Sequence, residues 1–171
     1  LKEYVVLLAK LDDDRSLCGG TGHIPSHVTC NTGKCEIFSC DCSLNDFAKS
    51  IGAVNTVVNR DGKLYGYNTD YFDFDYMVSR SGVDLFDKKA IVFGRGGASA
   101  TICALLRDKG VRELVTFGSA DNTPENIAKH TDAQIIVNAT PVGMYPNNCA
   151  SPADLSLFPD CEAVFDLIYN P

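Results

Sequence analysis

The sequence predicts an α/β chain whose second half forms a parallel sheet covered by helices. Three observations carry this reading. Short, continuous apolar runs such as 90–93 (AIVF) suit strands buried on both faces. Helical stretches alternate with these runs through short connections, as in a parallel sheet with crossover helices. A glycine-rich turn, Gly94-Arg95-Gly96-Gly97, joins the first such strand to a helix.

Residues 1–11 read as the end of a helix, and the polar, Gly-rich 12–27 as loop. Residues 36–50 carry a weak helical pattern through Ile37, Cys40, Leu44, Phe47 and Ala48. Residues 54–59 and 63–67 form a predicted hairpin, because Asp61-Gly62 between them is a strong two-residue turn signal. A helix is predicted over 71–80, with Phe72, Phe74, Tyr76 and Met77 as its apolar surface and Ser81-Gly82 as its end. Strand 90–93 follows, then helix 98–109 stopping at Gly110, strand 113–117, a short helix 124–130, and strands 134–138 and 163–168. The chain shows no internal repeat and no low-complexity segment.

A length of 171 residues, 45% hydrophobic, supports one good-sized core or two small domains. Fifteen basic against 22 acidic residues give a net charge of −7, which argues against nucleic acid as a main partner. No apolar run approaches the roughly 20 residues that span a bilayer. No secretory signal is evident, so a soluble cytoplasmic protein is expected. Eight cysteines are many, and five fall early: Cys18, Cys30, Cys35, Cys40 and Cys42. No C-x-x-C pair occurs, so even with His23 and His27 nearby no metal site is assigned. Free thiols in a reducing compartment are the expectation.

Two constellations carry chemistry. The hairpin would bring Asn55 and Asp70 together, and both can bind hydroxyl groups. Asn68 to Asp70 are equally suited to capping the helix that follows. The glycine turn would let backbone approach a pyrophosphate, with the N–H groups of the next helix aimed at the phosphates and small Ala98 and Ser99 allowing close packing. The cofactor's 2′ position is read near the end of the second strand. There the sequence runs 116–121 (TFGSAD), with no basic residue. Asp121 suits a free ribose hydroxyl, which leans toward NAD; Arg95 could instead reach a 2′-phosphate. Residues 138–144 (NATPVGM) follow the third strand at the sheet's carboxyl end, where open α/β sheets bind ligands.

Five segments together resemble the shikimate dehydrogenase family: IGAVNT at 51–56, GYNTD at 66–70, FGRGGAS at 93–99, NATPVGMYP at 138–146 and DLIYNP at 166–171. They occur in the family's order, from roughly Lys49 onward. The resemblance implies a Rossmann-type sheet over residues 74–171, C-terminally truncated, preceded by a truncated α/β substrate domain over residues 1–73. It implies NADPH-dependent, reversible reduction of 3-dehydroshikimate to shikimate in aromatic amino acid biosynthesis. NAD remains possible because the family's 2′-phosphate arginine is replaced. Lys34 and Asp70 would be the catalytic pair. Asn55, Asp70, Thr29 and Tyr169 would hold the substrate. Gly94, Arg95, Gly96, Gly97, Ala98, Thr140 and Leu167 would hold the cofactor.

The sequence departs from the family in several places. The segment around Lys34 lacks the family's proline, although the interval from Lys34 to Asn55 fits. Asp73 stands where glycine is common. The family's amino-terminal serine pair and carboxy-terminal helices lie outside the chain. A degenerate dinucleotide-binding module, or a dehydrogenase acting on quinate or using NAD, are the alternative readings.

Overall fold

The computed structural model describes residues 43–60, 63–146 and 148–168. The chain divides into two compact units, Leu1–Asp70 and Tyr71–Pro171.

In the first unit, the described residues form a three-stranded sheet and one helix. Strand β1 (Ser43–Leu44) leads to helix α1 (Asp46–Ile51), and β2 (Thr56–Arg60) and β3 (Lys63–Tyr67) make the hairpin. The sheet order is β1-β3-β2. β2 and β3 are antiparallel, pairing Thr56 with Tyr67 and Arg60 with Lys63. β1 lies parallel to β3. Ala48, Val54 and Val57 form the buried centre, with Leu44 and Leu64 against it. Gly66 makes room for this packing: a Cβ there would lie 2.6 Å from Leu44 Cδ2 and 3.3 Å from Val54. The helix expected over 36–50 is shorter where it is described. Asn45 caps it, its Oδ1 accepting from the Ala48 N–H at 2.7 Å. Ser43 and Leu44 are drawn into the sheet by pairing with Tyr65 and Gly66. Tertiary pairing overrides a weak periodicity here. The turn residues 61–62 lie outside the described residues.

The second unit is the helix-covered parallel sheet. Helix α2 (Asp70–Ser81) opens at the last residue of the first unit, so the division expected after residue 73 falls inside this helix. Strand β4 (Lys89–Phe93), helix α3 (Gly97–Asp108), strand β5 (Glu113–Phe117), helix α4 (Pro124–Ile127), and strands β6 (Ile135–Asn138) and β7 (Ala163–Asp166) follow. All strand pairs are parallel, in the order β5-β4-β6-β7. The predicted helix over 124–130 is one short α-turn continued by a 3-10 turn, Ala128–His130.

Both faces of this sheet are covered, which is why Ala90–Phe93 of β4 and Ile135–Val137 of β6 are apolar without a break. Ala90, Val92, Ile135 and Val137 pack with Phe74 and Val78 of α2 and with Ile102, Leu105 and Leu106 of α3. Ile91, Phe93 and Ile136 face the other way, against Phe117, Ile127, Ala153 and Phe158. Of the α2 side chains expected to supply apolar surface, only Phe74 is buried. Phe72, Tyr76 and Met77 are exposed, and Val78 joins the core instead. At 3.6 residues per turn, positions 74 and 78 share a face that 72 and 76 do not.

The two rims of the sheet differ in chemistry. At the amino-terminal ends of the strands, Lys89 pairs with Asp132 at 2.8 Å and Glu113 at 3.2 Å, and Lys88 pairs with Glu162. Burial works against the Lys89 charge, but its bonds to Asp132 and Glu113 outweigh that and raise its pKa. At the carboxyl ends lie the glycine turn and the loop after Asn138. Among the described residues, no helix is long and apolar enough to cross a membrane.

Candidate functional site

In the first unit, the hairpin ladder extends by one bond beyond β2, from the Asn55 N–H to the Tyr67 carbonyl at 3.1 Å. This register places Asn55 opposite the segment Asn68-Thr69-Asp70. The Asn55 amide nitrogen donates to Asp70 Oδ1 at 2.5 Å and to Thr69 Oγ1 at 2.9 Å. Its Oδ1 accepts from the Thr69 N–H at 2.9 Å and the Thr56 hydroxyl at 3.1 Å. An asparagine amide offers two donors and two acceptor positions, so all four are engaged within the protein. Asn55 is 7% exposed, and Asp70 is partly exposed at the start of α2. Asn68 is buried and donates to the Ala53 carbonyl at 3.2 Å, which fixes the chain leading into Thr69. Thr69, expected from the sequence only as one of three capping candidates, is part of this cluster. Its only sequence cue is its place between Asn68 and Asp70.

In the second unit, the carboxyl ends of β4, β5 and β6 converge. The chain leaves β4 toward β5 and returns to β6 on the other side, so β4 lies at the switch point where open sheets bind ligands. Gly94 has φ +117°, and a Cβ there would lie 2.6 Å from the Ala139 carbonyl oxygen. Only glycine fits that position. Its N–H donates to the Phe117 carbonyl at 2.7 Å, and Ser99, 2% exposed, donates its hydroxyl to the Gly94 carbonyl at 2.7 Å. Gly96 is the cap of α3 and supplies no side-chain bond, and the first turn (Gly97, Ala98, Ser99) carries no acidic residue. A helix start of this kind leaves N–H groups for an anion. The turn therefore fits a pyrophosphate.

Asn138 organises the neighbouring loop and was not singled out by residue in the sequence. It is 4% exposed. Its Oδ1 accepts from the Thr140 N–H at 3.0 Å and the Thr140 hydroxyl at 2.7 Å. Its Nδ2 donates to the Val142 carbonyl at 3.0 Å and Asp166 Oδ1 at 3.1 Å. Leu167 follows β7 and donates its N–H to the Asn138 carbonyl at 3.2 Å. One buried residue thus links Thr140 and Leu167 to the carboxyl rim of the sheet. Arg95 and Asp121, read from sequence as alternative partners of a ribose or a phosphate, are paired with each other.

Lys34, Thr29 and Tyr169 lie outside the described residues, as do the five early cysteines. Cys103, Cys149 and Cys161 are free. Among the described residues, no group of three or more metal-ligating side chains occurs.

No family model matches the chain. A curated shikimate dehydrogenase (NADP(+)) from Clostridium beijerinckii is 36% identical over 141 residues, covering 75% of this chain and 52% of that protein. The chain is a homologue of the shikimate dehydrogenases. It spans about half the length of the curated relatives it matches, 52% for the Clostridium beijerinckii protein. The fold agrees with solved members. Shikimate 5-dehydrogenase from Thermus thermophilus, in complex with NADP(H) and shikimate, matches with a TM-score of 0.65 and 33% identity, over 80% of this chain and 55% of that one. Shikimate 5-dehydrogenase from Listeria monocytogenes, in complex with shikimate and NAD, gives a TM-score of 0.61 and 26% identity, over 86% of this chain and 58% of that one. The Rossmann-type reading of the second unit holds.

Proposed function

We propose that the chain carries the substrate-binding and dinucleotide-binding parts of a shikimate dehydrogenase, which interconverts 3-dehydroshikimate and shikimate. The observation that carries this is the Asn55–Thr69–Asp70 cluster in a chain homologous to those enzymes. When bound, the nicotinamide cofactor supplies hydride to the ketone carbon.

In this reading Asp70 accepts a bond from a substrate hydroxyl and orients Lys34. The Lys34 ammonium stabilises charge developing on the ketone oxygen and gives it a proton. Asn55 holds the Asp70 carboxylate in place. Because its amide is saturated, a substrate hydroxyl reaches Asn55 only by exchanging with an internal partner such as the Thr56 hydroxyl. Thr29 and Tyr169 complete the substrate side. Gly94, Gly96, Gly97 and Ala98 hold the pyrophosphate, while Thr140 and Leu167 border the nicotinamide end. NADP(H) is the cofactor the resemblance implies, and it stands in the relatives' names. The free thiols Cys103, Cys149 and Cys161 suit a reducing compartment, so a cytoplasmic setting is part of the proposal.

The test is a purified chain assayed for shikimate-dependent reduction of NADP and of NAD, with quinate in parallel. Reduction with shikimate is expected. No reduction of either dinucleotide, with calorimetry showing cofactor binding but no shikimate binding, would leave only the dinucleotide-binding module.

A further inference from the structure

The carboxyl end of β5 is where a dinucleotide-binding sheet presents an acidic side chain to the adenosine ribose. Asp121 occupies that region and is held from several sides. Its Oδ1 accepts from the Gly118 N–H at 2.7 Å, and its carbonyl accepts from Asn126 Nδ2 at 2.9 Å. Its Oδ2 pairs with the Arg95 guanidinium, which also donates to the Thr116 carbonyl at 3.2 Å. Gly118 lies close against this pair: a Cβ there would lie 3.1 Å from Arg95 Cδ and 3.3 Å from Asp121 Oδ1, so a larger residue would require these side chains to shift by a few tenths of an ångström.

We infer that the Arg95–Asp121 pair fits this chain to a ribose with a free 2′-hydroxyl, so that it binds NAD(H) in preference to NADP(H). The inference rests on the dinucleotide reading of the glycine turn. Each Asp121 oxygen has two lone pairs, and the bonds to Gly118 and Arg95 take one apiece. The remaining positions can accept from a ribose hydroxyl without disturbing the ion pair. A 2′-phosphate brings about −1.5 to −2 charges and no strong donor at neutral pH. Arg95 spends only Nη2 on Asp121 and the Thr116 carbonyl, so its other N–H groups could meet that phosphate, but the phosphate would then lie beside the Asp121 carboxylate, and one guanidinium would have to offset both anions. No lysine or arginine stands in residues 118–121, which read GSAD, to offset this.

Isothermal titration of the intact chain with NADH and NADPH tests the inference without reference to turnover. NADH is expected to bind at least tenfold more tightly. A smaller ratio, or one favouring NADPH, overturns the inference while leaving the dinucleotide reading standing. Binding of neither overturns the dinucleotide reading, and this inference with it. In Asp121→Asn the Gly118 bond is kept and Arg95 is released, so NADPH affinity should rise tenfold or more. An Asp121→Asn variant that is folded by circular dichroism and changes both affinities equally also overturns the assignment. Arg95→Gln should retain the preference for NADH, because Asp121 still meets the ribose. Its reversal would count against Asp121 as the reader.

Discussion

The Asn55 amide nitrogen lies 2.5 Å from Asp70 Oδ1, joining the residue before one hairpin strand to the residue that opens α2. The contact is fixed by strand register, since Thr56 pairs with Tyr67. If Asp70 works on substrate, Asp70→Asn should lower kcat roughly 100-fold or more, in the range of lost acid–base assistance. Asn55→Ala should lower kcat less, because the carboxylate stays but loses its anchor. Steady-state kinetics with shikimate would check both, and an unchanged kcat in Asp70→Asn would remove that residue from the mechanism.

Gly94 is expected to tolerate no side chain. Gly94→Ala forces a Cβ into a left-handed backbone and onto the Ala139 carbonyl. The conformational strain alone is about 1–3 kcal/mol. Urea unfolding should show at least that loss, and dinucleotide affinity should fall with it. Full stability in this variant would mean the turn is built differently.

Asn138 supports the loop rather than touching the reaction. Asn138→Ala orphans the Thr140 N–H and the Val142 carbonyl, at about 1–3 kcal/mol for each group left buried without a partner. Cofactor affinity should weaken through Thr140 and Leu167, while Asn138→Asp should keep the acceptor half of the network. Protection of the Thr140 and Val142 amides from hydrogen exchange would report the difference.

The amino-terminal rim predicts a pH dependence. The hydrogen bond from Lys89 holds the Asp132 pKa below its usual value. A carboxyl depressed in the folded state stabilises above its unfolded pKa of about 3.9, and that contribution is lost as pH falls through the lower folded value. Lys89, raised, contributes below its unfolded pKa of about 10.4 and loses its contribution as pH rises through the higher folded value. Asp132→Asn should therefore lower Tm at neutral pH, with the gap to the unsubstituted protein closing toward pH ~2. A gap that stays constant with pH would show that the pair is not the cause.

Much of this was legible in the sequence. The strand cores of β4 and β6 were readable because two-sided burial demands unbroken apolar runs, and the hairpin because Asp61-Gly62 is a strong turn signal. Asn55 and Asp70 could be brought together on paper for the same reason. Ser43–Leu44 could not be found, since a two-residue strand owes its existence to Tyr65 and Gly66. On α2, angular position outranks aromatic content: Phe74 and Val78 turn inward, while Phe72 and Tyr76 fall on the exposed face. Arg95 and Asp121 were each visible, but their pairing joins two loops at neighbouring strand ends and leaves no local pattern. Asn138 was hidden inside a motif, its role set by Asp166 from another strand.

The opposed rims of the β5-β4-β6-β7 sheet have a consequence for how such a chain can change. Ion pairs gather at one end of the strands, while the loops proposed to meet a nucleotide lie at the other. Substitutions that retune nucleotide choice at Gly118–Asp121 fall a full strand length from Lys89 and its partners. The anchoring rim can stay constant while the recognition rim drifts, so a lineage can exchange one nucleotide for the other without first surrendering its ability to fold.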